Sequence, residues 1–282
     1  MQAFPDQDWH KDGVVTADGT CNWIFSHDTF KHWAADPRQL LWIRGNPGTG
    51  KSTMMKHIFQ SLDERRSEGQ TLATFFFNGR GKEFLTTLLS LYRALLNQIL
   101  HQSPEHLSEL VSKYKKYKVT RDKSWEWSVD ELRRYFAKAV PAISAKRHIC
   151  ILVDALDESG EHNARELIEQ FEETLAAVNE AGGFLKICFS CRYYPILTLK
   201  NGLTITMETE NQEDIETFVK KFHTYFRKSD HYTYIADLSS NNEKTSGVFC
   251  LAPFHTISQF SLAKEMDQEN QEDQEDLVDQ GD

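Results

Sequence analysis

The run Gly45-Asn46-Pro47-Gly48-Thr49-Gly50-Lys51-Ser52 fits the pattern G-x-x-x-x-G-K-[ST]. Its residue types serve one kind of chemistry. Glycines let the backbone curl so that successive N–H groups converge on an anion, and a helix starting at the lysine adds the partial positive charge of its N-terminus. Lys51 would reach the β- and γ-phosphates of a nucleotide, the Ser52 hydroxyl would ligate Mg²⁺, and Thr53 continues the segment. Gly45, Asn46, Pro47, Gly48, Thr49, Gly50, Lys51, Ser52 and Thr53 are therefore the candidate nucleotide-binding residues. A chain of ordinary composition shows such a match by chance roughly once in a hundred, so the motif carries weight.

A phosphate loop works with a second strand that carries an acid toward the metal. The apolar run over 148–153 ends in Asp154-Ala155-Leu156-Asp157-Glu158. Asp154, at the strand end, is the candidate second Mg²⁺ ligand, directly or through water. Asp157 or Glu158, just beyond, would orient or deprotonate an attacking water; the residues alone do not choose between them. The plainer reading of these two acids is a solvated turn ahead of the next helix, where negative charge is favourable.

These residues need elements to hold them. Leu40-Leu41-Trp42-Ile43 is a short continuous apolar run, the pattern of a strand buried on both faces, and it leads into the glycine-rich turn. Met54, Met55, Ile58, Phe59 and Leu62 then recur at helical spacing over 51–66. Further strands are predicted over 71–77, 148–153, 184–189 and 203–207. Helices are predicted over 84–100, 128–140 (opened by the capping-box pair Ser128 and Glu131), 163–181 and 212–227. Ser26 is the expected cap of a helix through Ala35. Strand and helix alternate, which calls for a mostly parallel sheet with helices on both faces, an α/β architecture.

Composition narrows the class. The 282 residues are 40% hydrophobic and 12% aromatic, which supplies a core and excludes disorder throughout. The formal charge is −10, but residues 261–282 hold nine acids and one lysine, leaving −2 on the other 260. Charge therefore argues for neither a nucleic-acid sponge nor a membrane-surface binder. Five cysteines, Cys21, Cys150, Cys188, Cys191 and Cys250, show no framework spacing. The N-terminus lacks a secretory signal and no stretch approaches the roughly 18 apolar residues of a membrane span, so the expected setting is cytoplasmic.

An Asp followed by a small residue, an apolar residue and two further acids resembles the second motif of NACHT-type STAND ATPases. Gly19-Thr20-Cys21-Asn22-Trp23-Ile24 and Leu41-Trp42-Ile43-Arg44-Gly45-Asn46-Pro47-Gly48 resemble the nephrocystin-like N-terminal P-loop domain, common in fungal NOD-like receptor proteins. Phe75-Phe76-Phe77-Asn78-Gly79-Arg80-Gly81 and Leu91-Tyr92-Arg93-Ala94-Leu95-Leu96 are similar to further blocks of that family, in its order. The resemblance covers about 19–249. It implies a three-layer fold with a five-stranded sheet in the order 5-1-4-3-2. By that likeness Arg192, after the strand over 184–189, faces the γ-phosphate as a sensor, with Arg80 a weaker candidate for the same face. The resemblance also implies adenine over guanine, slow Mg²⁺-dependent ATP hydrolysis, and a signalling switch that self-assembles on nucleotide exchange. The expected division is a flexible segment over 1–18, the NTPase domain over 19–228, a partial helical extension over 229–260 and an acidic disordered tail over 261–282.

Other patterns carry less. Cys188 and Cys191 have C-x-x-C spacing but no second pair, so packing is the expected role. Lys113-Tyr114-Lys115-Lys116-Tyr117-Lys118, with Arg121, Lys123, Trp125 and Trp127, mixes bases and aromatics in a way that suits nucleic acid, but it more simply covers a helix and a loop. After Ser246-Gly247-Val248-Phe249 the chain departs from the family's helical run; the winged-helix domain and sensor repeats are expected to be missing, as in a truncated form. That departure favours a second function, a nucleotide-binding interaction module without significant turnover. A small-molecule kinase shares the loop, but the extra acids after Asp154 suit activation of water and no arginine-rich lid is visible.

Overall fold

Why Leu40 to Ile43 must be apolar on both faces is plain once the layers are assembled. In a computed structural model the described residues are 20–79, 83–121, 124–194 and 197–217. Five strands, β1 (Arg38–Arg44), β2 (Gln70–Phe76), β3 (His148–Asp154), β4 (Phe184–Cys191) and β5 (Leu203–Thr206), form one sheet. Its order is β2-β3-β4-β1-β5 and every pairing is parallel. This is the expected order read from the opposite edge.

The sheet is covered on both sides, and side chains alternate between two cores as the pleat requires. Leu40 and Trp42 of β1, Ile149, Ile151 and Val153 of β3, and Ile187 and Phe189 of β4 enter one core. That core is closed by α3 (Leu88–Leu100), α4 (Pro104–Thr120), α5 (Val129–Ser144) and α6 (Glu161–Glu180). Leu41, Ile43, Leu152, Cys188 and Ile205 enter the other, beneath α1 (Asp28–Ala35) and α2 (Lys51–Glu64). Trp33 of α1 fixes the second layer, its indole N–H reaching the carbonyls of Gln39 and Ile187, both at 3.2 Å. On the other side Trp42 stacks on Phe189 with centroids 5.9 Å apart.

Local signals mostly acted as the residues suggested. Ser128 and Glu131 form the reciprocal capping box of α5. The cap of α1 is a correction: Asn22–Phe25 is a 3₁₀ turn, and the ring of His27, not Ser26, accepts the Thr29 amide. Helix 84–100 divides into a 3₁₀ turn, Glu83–Thr86, and α3, because the Thr87 side chain caps the Ser90 amide. Pro104 opens α4 from its first position, where its missing N–H costs no hydrogen bond. β4 runs two residues beyond the expected end, to Cys191. A short helix, α7 (Met207–Glu210), follows β5 directly.

The basic–aromatic run lies on α4 and the segment after it. Tyr114, Tyr117, Trp125 and Trp127 pack ring against ring, and the Arg121 guanidinium lies 4.2 Å from the Tyr117 centroid. Cys21, Cys150, Cys188 and Cys191 are free thiols. No helix among the described residues is long and apolar enough to cross a membrane. The expectations for 1–18, Arg80, Lys123, the helix beyond 217, the extension over 229–260 and the tail over 261–282 fall outside the described residues.

Candidate functional site

Parallel strands present their C-terminal ends together, and ligands of such sheets gather there. β1 ends at Arg44 and passes into the glycine loop, which enters α2 at Lys51. Gly48 and Gly50 have φ of 80° and 85°, in the left-handed region where a side chain is strained, so the tight curl depends on glycine. Thr49 is buried and its hydroxyl donates to the Asn46 carbonyl at 2.9 Å, closing the turn from inside. The Lys51 ammonium folds back over this loop and donates to the carbonyls of Gly45 at 2.8 Å and Asn46 at 2.7 Å. Burial lowers its pKa, opposed chiefly by the carboxylates of Asp157 and Asp154.

Asp154 ends β3 beside this loop and is 3% exposed. Its register is dictated by pairing: Val153 lies opposite Phe189, so the next position of β4, Ser190, stands beside Asp154. The Ser190 hydroxyl donates to the Asp154 carboxylate and accepts the Ala155 N–H at 2.9 Å. The Ser52 hydroxyl faces the same carboxylate and acts to lower its pKa. The two metal-ligand candidates thus face each other, and Lys51 acts on both acids. Burial raises the Asp154 pKa, and the Ser190 and Ser52 hydroxyls and the Lys51 charge only partly offset it.

Asp157 and Glu158 lie in the 3₁₀ turn Leu156–Ser159, and Arg192 follows β4. The three form one cluster. Asp157 accepts the Arg192 backbone N–H at 3.0 Å and pairs with its Nε at 3.1 Å; Glu158 pairs with its Nη2 at 3.0 Å and takes the Gly79 amide at 2.5 Å. A Cys191 side-chain bond also reaches Asp157, and burial pushes that thiol's pKa well up. Asp157 is 6% exposed and fully engaged, whereas Glu158 is 22% exposed.

An all-oxygen pair made of one carboxylate and one hydroxyl suits a hard cation that takes its remaining ligands from phosphate and water, as Mg²⁺ does. Among the described residues no cluster of three His, Cys, Asp or Glu could hold a metal without such help. Asp154 is a buried carboxylate faced by two neutral hydroxyls, so a divalent charge fits what the site lacks.

The raised pKa of Asp154 has a testable consequence. The folded chain binds this proton more tightly than the unfolded chain, so the Asp154 contribution to stability falls as pH rises from the unfolded value, 3.8, through the folded one. Asp154→Asn removes the buried charge. It is expected to melt higher than the parent at neutral pH without nucleotide, by about 2–4 °C per kcal/mol relieved for a domain of this size. It should also lose that pH dependence and the response to Mg²⁺. Thermal melts from pH 4 to 8 measure all three.

Ser190, Tyr193 and Glu208 also belong to this site, and no motif flags them; Gly79, which meets Glu158, lies in the family-like block over 75–81 but carries no role there. Only the strand order could have found Ser190, by setting β4 beside β3.

A buried parallel sheet, a curled glycine loop entering a helix at lysine, and an acid on the strand two places away together define a P-loop NTPase fold. The family model of nephrocystin 3, N-terminal, matches residues 19–192, and the chain belongs to that family, a P-loop NTPase domain of the NACHT type. A 103-residue stretch is 29% identical to the vegetative incompatibility protein HET-E-1 of Podospora anserina, spanning 36% of this chain and 7% of that protein. Among solved structures, a Walker-type ATPase of Pyrococcus abyssi is 16% identical with a TM-score of 0.35, over 73% of this chain and 59% of its own. A Drosophila ORC structure is 12% identical with a TM-score of 0.38, over 71% and 48%. Both scores are low, and the fold assignment rests on the sheet itself.

Proposed function

We propose that the chain binds ATP with Mg²⁺ and hydrolyses it slowly, as the nucleotide-driven switch of a NOD-like receptor kind of protein. The observation that carries this reading is the convergence of Lys51, Ser52 and Asp154 at the end of the sheet, where Ser52 and Lys51 both act on the Asp154 carboxylate. On this reading the loop amides and Lys51 would hold the phosphates, and Ser52 and Asp154 would hold the metal, which would supply positive charge to offset that of the phosphates. Arg192 would move from its carboxylates to the γ-phosphate. Glu158 would place the attacking water, since it keeps exposed surface, while Asp157 would orient Arg192 through two contacts, to its backbone N–H and its Nε. Adenine as the base, a cytoplasmic setting, self-assembly through this domain and the division at 19–228 belong to the same proposal, supported by family membership.

A second reading, a nucleotide-binding module without significant turnover, is favoured by one observation. Both candidate water-placing acids are tied to Arg192. Phosphate release by the purified chain with Mg²⁺ and ATP separates the two. The switch reading predicts slow release, abolished in an Asp154→Ala, Glu158→Ala double variant. Release no greater than that variant's would leave the module reading, and transfer to small alcohols or nucleosides in place of water would indicate a kinase.

A further inference from the structure

Opposite the acids, the loop is gripped from outside by the turn that follows β5. Register sets this up: Arg44 pairs with Thr206, so the chain leaving β5 runs beside the chain leaving β1. The Arg44 Nε donates to the Thr206 hydroxyl at 3.2 Å. One residue on, Met207 is buried against the loop's start, and a Cβ added at Gly45 would lie 3.0 Å from the Met207 Cβ and 3.1 Å from the Glu208 carboxylate. Asn211, 4% exposed, donates from Nδ2 to the Thr49 carbonyl at 2.7 Å. Between these two contacts the Glu208 carboxylate accepts the Asn46 backbone N–H with one oxygen, and the Tyr193 hydroxyl donates to the other at 2.9 Å.

We propose that Glu208 is a positioning residue for nucleotide binding, holding the first half of the phosphate loop by its Asn46 amide and tying it, through Tyr193, to the segment that carries Arg192. This rests on the nucleotide-binding reading above. The chemistry explains why a carboxylate is tolerated so close to a phosphate site. Both its oxygens are spent on donors, Lys51 lies within reach of its charge, and the Arg44 guanidinium sits 5.6 Å from the Tyr193 ring. The Asn46 N–H shares its peptide with the Gly45 carbonyl, which accepts from Lys51, and the next carbonyl, of Asn46, accepts from Lys51 and Thr49, so the peptide that Glu208 fixes is one on which the lysine rests. If that peptide loosens, both the lysine and the curl lose their seat. Tyr193 adjoins Arg192 in sequence, so the same carboxylate joins the two sides of the site.

The test uses the full chain and Mg·ATP as the probe. Loss of one charge-assisted hydrogen bond corresponds to about 10–100-fold in affinity. Glu208→Ala is expected to weaken Mg·ATP by that factor in calorimetry. Glu208→Gln, whose amide oxygen still accepts from Asn46, should remain within about threefold of the parent, and Tyr193→Phe should fall between them. Amide hydrogen exchange of the nucleotide-free chain reads the same bond without ligand. Glu208→Ala should speed exchange at Asn46 while β1 and β3 stay protected, and Glu208→Gln should restore protection. A Glu208→Ala chain with unchanged exchange at Asn46 overturns the proposal whether or not nucleotide binds. So does parental affinity in Glu208→Ala, or Glu208→Gln as weak as the alanine variant. A parent chain that binds no Mg·ATP overturns the nucleotide-binding reading, and this inference with it.

Discussion

Lys51→Ala is expected to lose nucleotide binding while keeping its fold. Lys51 makes two bonds in the ligand-free chain, both to carbonyls of its own loop, and it is not among the apolar residues of the core. In the complex the same ammonium would face the β- and γ-phosphates. Two charge-assisted bonds at about 1.5–3 kcal/mol each imply a loss of at least about 3 kcal/mol, a hundredfold or more in Kd. Burial already lowers the lysine's pKa below its ordinary 10.5, so the parent should also show a pH signature. Only the protonated form attracts phosphate, and affinity should therefore fall as pH rises through the lowered value. The variant should show no such fall. Calorimetry between pH 7 and 10 checks both, and a thermal melt without nucleotide verifies the fold.

Glu158→Gln and Asp157→Asn are expected to fail in different ways. Glu158 is the better exposed acid and the one proposed to place water, so its amide should retain Mg·ATP affinity and lose hydrolysis by about 10²–10⁴-fold, the usual scale for general base catalysis. Asp157 spends both oxygens on Arg192 and is almost wholly buried. Its asparagine variant should misplace the arginine, lowering turnover and also destabilising the turn Leu156–Ser159. The pair is read by single-turnover phosphate release together with melts. Loss of turnover in Asp157→Asn with full activity in Glu158→Gln would reverse the assignment.

How much of this the residues disclose depends on distance along the chain. The glycine loop and its helix are contiguous, so their chemistry is written in eight letters. The strands over 148–153 and 184–189 are legible because a sheet covered on both sides demands nearly continuous apolar runs, and only His148 at one start and Lys186 within the other interrupt them. Asp154 follows from being the first polar residue after such a run. Ser190 is different. A hydroxyl after Phe189 reads as a strand ending, yet β4 continues because Ser190 and Cys191 still pair with Ile43 and Arg44 of β1. The hydroxyl's partner, Asp154, lies 36 residues away. Glu208 is separated from Asn46 by 162 residues and carries no motif, so only the parallel pairing of β1 with β5 reveals it. His27 displaced Ser26 as a cap because Asn22–Phe25 closes its own turn first, a local competition the capping preference alone does not rank. The family likeness supplied what no local pattern could, the strand order that sets Arg192 beside the two acids.

The central claim is that the loop from Gly45, together with Lys51 and Asp154, encloses a triphosphate and its divalent ion. Calorimetric titration of the unaltered chain with ATP, once with Mg²⁺ and once with EDTA, tests it most directly. The account predicts one site per chain, bound at least tenfold more tightly with the metal, and with that advantage gone in Asp154→Asn. No heat of binding in either titration, or an affinity indifferent to both the metal and Asp154, would contradict it.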